Sequence, residues 1–86
     1  MKIITEVFYF GSLSRRRGED HSPCDLQGST PVRELLNRLQ IPTGQVQLVM
    51  VNHKAVSPGH LIQPGDRVAL FPKEYAIFAD WKNLRF

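Results

Sequence analysis

Three stretches of the chain have the apolar pattern of β-strands, namely residues 3–10, 45–51 and 67–71. They are rich in β-branched and aromatic side chains, which fit a pleated and half-buried surface. The middle stretch begins with polar and apolar residues in alternation and ends as a continuous apolar run, which is typical of a strand inside a sheet. In the first stretch two alternating sets compete for the inward face: Ile3, Val7 and Tyr9 with Thr5, or Ile4, Phe8 and Phe10 with Glu6.

One amphipathic helix is predicted after the first strand. Its apolar side chains recur at the spacing of a single helical face: Val32, Leu35, Leu36 and Leu39. Thr30 is a suitable residue to cap the free amide groups, and Pro31 suits the first helical position. Pro42 and Gly44 end the helix, which must bury its apolar stripe against another element.

Two tight turns are predicted in the second half of the chain. Asn52 and His53 stand where a hairpin places two residues with positive φ, so residues 54–56 are expected to form a short return strand. Pro64 and Gly65 supply the fixed φ and then the free φ that a type II turn requires. The last strand would begin directly after this second turn.

The order of these elements predicts an α+β fold. Residues 11–23 are polar and contain glycine and proline, so we expect an exposed loop there, followed by a short strand around residues 24–26. One main helix laid across a mixed sheet of four to five strands is a roll of the β-grasp, or ubiquitin-like, kind.

Composition limits what such a chain can do. With 86 residues, of which 42% are hydrophobic, it has enough apolar side chains for one core. The single cysteine, Cys24, cannot close an internal disulfide, so we expect a reducing, cytoplasmic location. We identify neither a signal peptide nor a membrane-spanning segment. The net charge of +3 is too small to indicate a nucleic-acid partner.

Two segments carry a family resemblance: VRELLNRLQIPTGQVQLVMVNHKAV at residues 32–56, and QPGDRVALFP at residues 63–72. They resemble the MoaD/ThiS family of ubiquitin-like proteins, the small sulfur carriers of molybdopterin and thiamine biosynthesis. The most telling pieces are Val51-Asn52 before the hairpin and Pro64-Gly65-Asp66 before the last strand. Such motifs specify the architecture better than the activity.

The chain departs from this family after its last strand. The resemblance implies a terminal Gly-Gly whose carboxylate is adenylated and converted to a thiocarboxylate, because only a thread without side chains enters the narrow channel of the partner enzyme. Here KEYAIFADWKNLRF follows Pro72, and no glycine occurs beyond Gly65. We therefore expect that this polypeptide does not carry sulfur by the mechanism of the family.

The sequence divides into a ubiquitin-like domain, residues 1–72, and an aromatic tail, residues 73–86. The tail contains four aromatic residues: Tyr75, Phe78, Trp81 and Phe86. The first three recur at every third position, which places them along one side of a helical turn. Either the tail folds back over an exposed face or edge of its own sheet, or it anchors a partner protein or a second copy of the chain. Phe71 and Pro72 would fix where the tail leaves the sheet.

Other candidate sites are weak. His21 and Cys24 supply only half of a zinc site, so we expect no metal and a structural cysteine. The run Arg15, Arg16 and Arg17 is either a solvated loop tip or a contact for a polyanion or an acidic partner. We find no catalytic residues and no cofactor motif, and we predict that the chain is not an enzyme.

These observations favour a non-catalytic, MoaD/ThiS-like protein-interaction module. The predicted contact residues are Phe71, Pro72, Tyr75, Phe78, Trp81 and Phe86. The resemblance implies a setting in molybdenum or tungsten pterin cofactor assembly or a related sulfur-transfer pathway, with a cofactor-biosynthesis or pterin-dependent enzyme as partner. Two alternatives remain: a sulfur carrier with an atypical C-terminus, and an RNA-binding β-grasp domain.

Overall fold

The structure is a computed structural model, and it describes residues 3–73. Seven strands, two short α-helices and one 3-10 turn follow one another in this range. The elements are β1 Thr5–Tyr9, α1 Ser12–Arg17, β2 His21–Cys24, β3 Thr30–Pro31, α2 Val32–Arg38, the 3-10 turn Thr43–Gln45, β4 Val46–Val51, β5 Lys54–Val56, β6 Leu61–Ile62 and β7 Arg67–Pro72.

Five of the strands form one mixed sheet in the order β2-β1-β7-β4-β5. The first and last strands of the described chain, β1 and β7, lie side by side and run parallel, and the other neighbours are antiparallel. β3 and β6 make a separate antiparallel pair. This arrangement confirms the predicted mixed sheet with one main helix, α2.

The core lies between the inner face of the sheet and α2. Val32, Leu35 and Leu36 of α2 are completely buried and belong to the same apolar cluster as the inward side chains of the strands. In β1 the inward set consists of Thr5, Val7 and Tyr9, which settles the ambiguity of the first stretch. The second alternating set therefore faces outward.

The predicted loop at residues 11–23 is wrong, because this region contains α1 and β2. Gly18 adopts a left-handed conformation with φ of 71° and donates its backbone N–H to the oxygen of Ser14, which ends the helix. Leu13 is the single buried residue of α1. One apolar residue in six produces no helical periodicity, so the pattern could not reveal this helix.

The start of α2 also differs from the prediction. Pro31 is extended, with ψ of 146°, and belongs to β3 rather than to the first helical turn. The Thr30 hydroxyl donates to the oxygen of Gly28 and does not cap the helix. The free amides of Val32 and Arg33 instead donate to backbone oxygens of the loop at residues 58–60. Backbone from a distant segment thus replaces the side-chain cap.

Both predicted turns are confirmed, and a cluster of hydrogen bonds joins them. Asn52 and His53 have φ of 51° and 69°, and Gly65 has φ of 94°. The Asn52 carboxamide donates to Asp66 and accepts from the backbone N–H of Arg67. The two motifs that carry the family resemblance therefore meet at one end of the sheet.

Candidate functional site

The outer face of the sheet carries a row of side chains that crosses all five strands. The pairing register sets His21 opposite Phe8, Phe8 opposite Ala69, Ala69 opposite Met50, and Met50 opposite Ala55. Because side chains alternate across a strand, these residues point away from the core. Phe8, Met50 and Ala69 are half-buried although they lie on the outside.

Aromatic side chains on the outer face of the sheet contact one another and Arg67. The Phe10 and Phe71 rings are stacked with centroids 4.6 Å apart and an interplanar angle of 6°. The Arg67 guanidinium lies 4.1 Å from the centroid of the Phe8 ring, and the His21 ring stacks on Phe8 at 5.5 Å. A cation over an aromatic face is attracted by the ring quadrupole, so Arg67 is held over the apolar surface.

The small side chain of Ala69 leaves a groove at the centre of this face. We call it the aromatic groove, and its volume is about 140 Å³. Its lining residues are Phe8, Phe10, Met50, His53, Arg67, Ala69 and Phe71. Sites for drug-sized ligands and cofactors measure about 300–1,000 Å³. The aromatic groove is therefore too small for such a molecule and has the size of one large side chain.

Polar residues surround the aromatic groove. An adjoining open depression of about 550 Å³ shares Phe8 and Phe10 with it and is lined further by Arg15, Asp20 and His21, among others. Asp20 lies 3.2 Å from the His21 ring nitrogen Nδ1. An apolar centre with Met and aromatic residues inside a polar rim is the anatomy of a protein interface.

The arginine run lies on α1, and the side chains of Arg16 and Arg17 bind other elements of the domain. Arg16 donates to the side chain of Gln45 at 2.6 Å. Arg17 donates to the backbone oxygen of Leu39 at 2.9 Å and stacks over the Tyr9 ring at 4.6 Å. These bonds attach α1 to the body of the domain. A polyanion contact through Arg15, Arg16 and Arg17 stays a prediction.

His21 and Cys24 do not form a half site for zinc. They lie three residues apart in β2, so their side chains point to opposite faces of the sheet. Cys24 packs against the core, and burial raises the pKa of its thiol, with Arg38 opposing this shift and Asp25 adding to it. Within residues 3–73 no group of three or more His, Cys, Asp or Glu residues could hold a metal ion.

Two of the six predicted contact residues, Phe71 and Pro72, lie within the described range, and they differ in burial. Phe71 is half-buried on the outer face, stacked on Phe10. Pro72 is fully buried at the end of β7, opposite Val46. Its role as a contact residue stays a prediction. The tail residues Tyr75, Phe78, Trp81 and Phe86 lie outside the described residues.

Sequence reasoning missed most of the aromatic groove. Phe8 and Phe10 belong to the second alternating set of the first stretch. Periodicity alone does not show that this set faces outward, whereas the burial of Thr5, Val7 and Tyr9 does. Met50 and Ala69 gave no signal, because their position beside Phe8 depends on the register between β1, β7 and β4. A register across strands far apart in sequence cannot be read from periodicity.

Comparison with known families decides the affiliation of the chain. The sequence model of the Mut7-C ubiquitin family matches residues 1–78. The chain belongs to the Mut7-C ubiquitin family. The match extends past the predicted domain boundary at residue 72 and includes Tyr75 and Phe78. No curated protein shows a significant match.

Solved structures show the same fold as this Mut7-C ubiquitin domain. Crystal structures of small archaeal modifier protein 1 (SAMP1) from Haloferax volcanii are 24% and 21% identical to it, both with a TM-score of 0.70. The first alignment covers 80% of this chain and 95% of that chain, and the second covers 85% and 98%. A protein described as molybdopterin converting factor, subunit 1, from Pyrococcus furiosus is 21% identical, with a TM-score of 0.68 and coverage of 83% and 98%.

These likenesses confirm the ubiquitin-like β-grasp fold and the MoaD/ThiS-like resemblance of the Mut7-C ubiquitin domain. The chain shares this fold with the small archaeal modifier protein and with the protein described as a molybdopterin converting factor subunit. In the part of the chain that the structure describes, no helix is long and apolar enough to cross a membrane.

Proposed function

We propose that this Mut7-C ubiquitin domain is a non-catalytic module that binds another protein through the outer face of its sheet. The observation that carries the proposal is the aromatic groove, a side-chain-sized cleft between Phe8, Met50 and Phe71. Aromatic residues, Met and Arg are enriched where proteins meet, and a few of them supply most of the binding free energy. The tail residues Tyr75, Phe78, Trp81 and Phe86 complete this contact surface.

The chemistry of the face favours a protein over other partners. The aromatic groove is smaller than a substrate or cofactor site. Its charges are of both signs, because the pairing register sets Glu6 opposite Arg67, and Asp20 lies beside His21. A surface that follows a phosphate backbone concentrates positive charge instead.

The partner belongs, in this proposal, to molybdenum or tungsten pterin cofactor assembly or to a related sulfur-transfer pathway. The resemblance to the MoaD/ThiS family supports this setting, as does the fold shared with the Pyrococcus furiosus protein described as a molybdopterin converting factor subunit. The domain would contact a cofactor-biosynthesis or pterin-dependent enzyme without itself supplying catalytic residues or holding a cofactor.

Binding to a purified adenylating enzyme of such a pathway tests this proposal. Isothermal titration compares the full chain with Ala69→Glu, which places a charge in the groove, and with Ala69→Leu, which fills it. We expect each variant to weaken binding at least about tenfold, a change of about 1.4 kcal/mol. Leu61→Glu is the matched control, since Leu61 is an apolar residue that is 50% exposed on β6, outside the five-stranded sheet.

Two results would contradict the proposal. One is equal binding by wild type and both Ala69 variants, and the other is loss of binding in Leu61→Glu as well.

Deleting residues 75–86 should abolish binding and leave the unfolding temperature unchanged. Incubating the complex with ATP and a sulfur source separates docking from sulfur carriage, because a thiocarboxylate would raise the intact mass by the difference between sulfur and oxygen. We expect no such increase.

A further inference from the structure

We propose that a second cleft, beside α1, binds the C-terminal residue of another protein, with its carboxylate held by two arginines and its apolar side chain on the floor. We call it the arginine cleft, and its volume is about 540 Å³. The lining residues that the argument uses are Leu13, Arg16, Arg17, Leu39, Ile41 and Gln45. None of the residues that line it also lines the aromatic groove, so this inference goes beyond the proposed function.

The arginine cleft combines cations with apolar side chains. α1 contributes Arg16 and Arg17, and the apolar part is formed by Leu13, Leu39 and Ile41. No aspartate or glutamate is among its lining residues. Its volume lies within the range of about 300–1,000 Å³ that ligand sites occupy. A ligand that carries a negative charge beside an apolar group fits this lining.

The Arg17 guanidinium is held in place by the domain. Its Nη1 donates to the backbone oxygen of Leu39 at 2.9 Å, and its centre lies 4.6 Å from the centroid of the Tyr9 ring. Within the described residues its buried Nε has no hydrogen-bond acceptor, since Glu19 Oε2 lies 3.7 Å away. The charge of Arg17 is thus fixed in position but only partly neutralised, which lowers the entropy cost of binding an anion.

Arg16 has hydrogen-bond donors to spare. A guanidinium carries five N–H donors in a planar fork, which matches the two oxygens of a carboxylate. In the part of the chain that the structure describes, the side chain of Arg16 bonds to one acceptor, the neutral Oε1 of Gln45 at 2.6 Å. Two arginines and the nearby Glu19 leave a net charge of about +1. This charge complements a carboxylate better than a phosphate, which carries almost two negative charges at neutral pH.

The floor of the arginine cleft is fixed by the core. The end of α2 is closed by two bonds, from the Gln40 N–H to the oxygen of Asn37 and from the Ile41 N–H to the oxygen of Leu36. Gln40 adopts φ of 59° at this point, and the next residue, Ile41, returns to the core and is 7% exposed. Leu13 is 2% exposed. An apolar ligand group therefore meets a preformed surface.

The last residue of a protein is the ligand that combines both chemistries most closely. It carries a carboxylate and a side chain on the same Cα, whereas an internal aspartate or glutamate has no apolar group of its own beside its carboxylate. Capture of a terminal carboxylate is a recurring mode of peptide recognition. The volume of the arginine cleft leaves room for the backbone of the preceding residues. We therefore assign the cleft to a C-terminus that ends in a large apolar residue.

Methyl NMR on the full chain tests the assignment. The probe is the acetylated tripeptide glycyl-glycyl-leucine with a free carboxylate, titrated into protein with ¹³C-labelled isoleucine methyl groups. We expect the Ile41 signal to shift, whereas the signal of Ile62, buried on β6, should not. The same peptide with an amidated C-terminus should bind at least about tenfold more weakly, because it loses the charge-assisted hydrogen bonds.

Three variants separate binding from stability. Arg16→Gln should weaken binding of the free acid at least about fivefold. Arg33→Gln removes the same charge from an exposed position of α2 outside the cleft, and it should leave the affinity unchanged. Gln45→Glu places a carboxylate where Arg16 already donates, so it should weaken peptide binding by a similar factor without lowering the urea midpoint of unfolding. Weaker binding in Gln45→Glu would then not result from loss of the fold.

Four results would overturn the inference. They are equal binding of the free acid and the amide, equal loss of affinity in Arg16→Gln and Arg33→Gln, full affinity in Gln45→Glu, and displacement of the peptide by inorganic phosphate at a lower concentration than by acetyl-leucine. Ala69→Glu, which blocks the aromatic groove, should leave peptide binding unchanged. Failure at the arginine cleft and failure of the proposed function are therefore distinguishable.

Discussion

Replacing Asn52 tests whether the hydrogen bonds between the two turns stabilise the sheet. Asn52 opens the β4–β5 turn with φ of 51°. Its Nδ2 donates to Asp66 Oδ1 at 2.9 Å, and its Oδ1 accepts from the Arg67 backbone N–H at 2.9 Å. A third bond, from the Asn52 backbone N–H to the oxygen of Arg67 at 2.8 Å, does not depend on the side chain. The β4–β5 turn is thereby fixed to the start of β7.

Asn52→Ala removes both side-chain bonds and places a β-carbon at positive φ. Each exposed hydrogen bond contributes about 0.5–1.5 kcal/mol net, and the left-handed conformation costs alanine about 1 kcal/mol. The free energy of unfolding should therefore fall by about 2–4 kcal/mol, out of a total of about 5–10 kcal/mol for a domain of this size. Asn52→Gly loses the same bonds without the conformational cost, so we expect a loss of about 1–3 kcal/mol.

Urea unfolding followed by far-UV circular dichroism measures both variants without relying on Trp81 in the tail. For a domain of this length, each 1 kcal/mol corresponds to about 4–8 °C in Tm, which a thermal scan checks independently. The order wild type, Asn52→Gly, Asn52→Ala is the expected result. If Asn52→Gly lowered the free energy of unfolding as much as Asn52→Ala does, the positive φ would not matter at this position. A decrease below about 0.5 kcal/mol in Asn52→Ala would refute the stabilising role of the hydrogen bonds.

Two further perturbations have defined outcomes. Gly65→Ala should lower the free energy of unfolding by about 1–2 kcal/mol, because φ is 94°. The new Cβ would also lie 2.6 Å from Cγ2 of Ile3, but that side chain is 63% exposed and can move away. Gly59→Ala, with only an ordinary contact at 3.7 Å, is the control, and equal effects of the two substitutions in denaturant unfolding would contradict the argument. Burial raises the pKa of the Cys24 thiol, so the folded state keeps this proton to a higher pH than the unfolded chain does. Stability should consequently fall as the pH rises above the pKa of the unfolded thiol, and the midpoint of iodoacetamide alkylation should exceed that of the unfolded chain. Cys24→Ser should remove this part of the pH dependence of stability. If the midpoint pH of alkylation in the folded protein were below that of the unfolded chain, burial would not control the pKa of the thiol.

The β-strands and turns could largely be predicted from the sequence because their signals are local. Asn52-His53 and Pro64-Gly65 are residue types that favour the backbone angles of their turns, and Asn52, His53 and Gly65 adopt the predicted positive φ. The apolar stripe of α2 likewise predicted its buried face. The cap of α2 could not be predicted, because it consists of backbone oxygens near residue 58, far along the chain.

The candidate site was predictable only in part, because it depends on distant pairing. Phe71 was selected for its place at the end of β7, and it does lie on the outer face. No sequence pattern marks Ala69 as a site residue, yet the groove exists because this side chain is small beside Phe8 and Met50. The aromatic spacing of the tail suggested a contact segment but gave no indication of which surface it would meet.

The parallel pairing of β1 with β7 also constrains how the protein folds during synthesis. Val7 pairs with Val68, roughly sixty residues later in the chain, and β7 separates β1 from β4 in the finished sheet. A nascent chain can form the β4–β5 hairpin and α2 early, but the two halves of the sheet cannot join until residues 67–72 have left the ribosome. Until then the edges of β1 and β4 are unpaired, which makes this interval the one in which chaperones would protect the chain from aggregation.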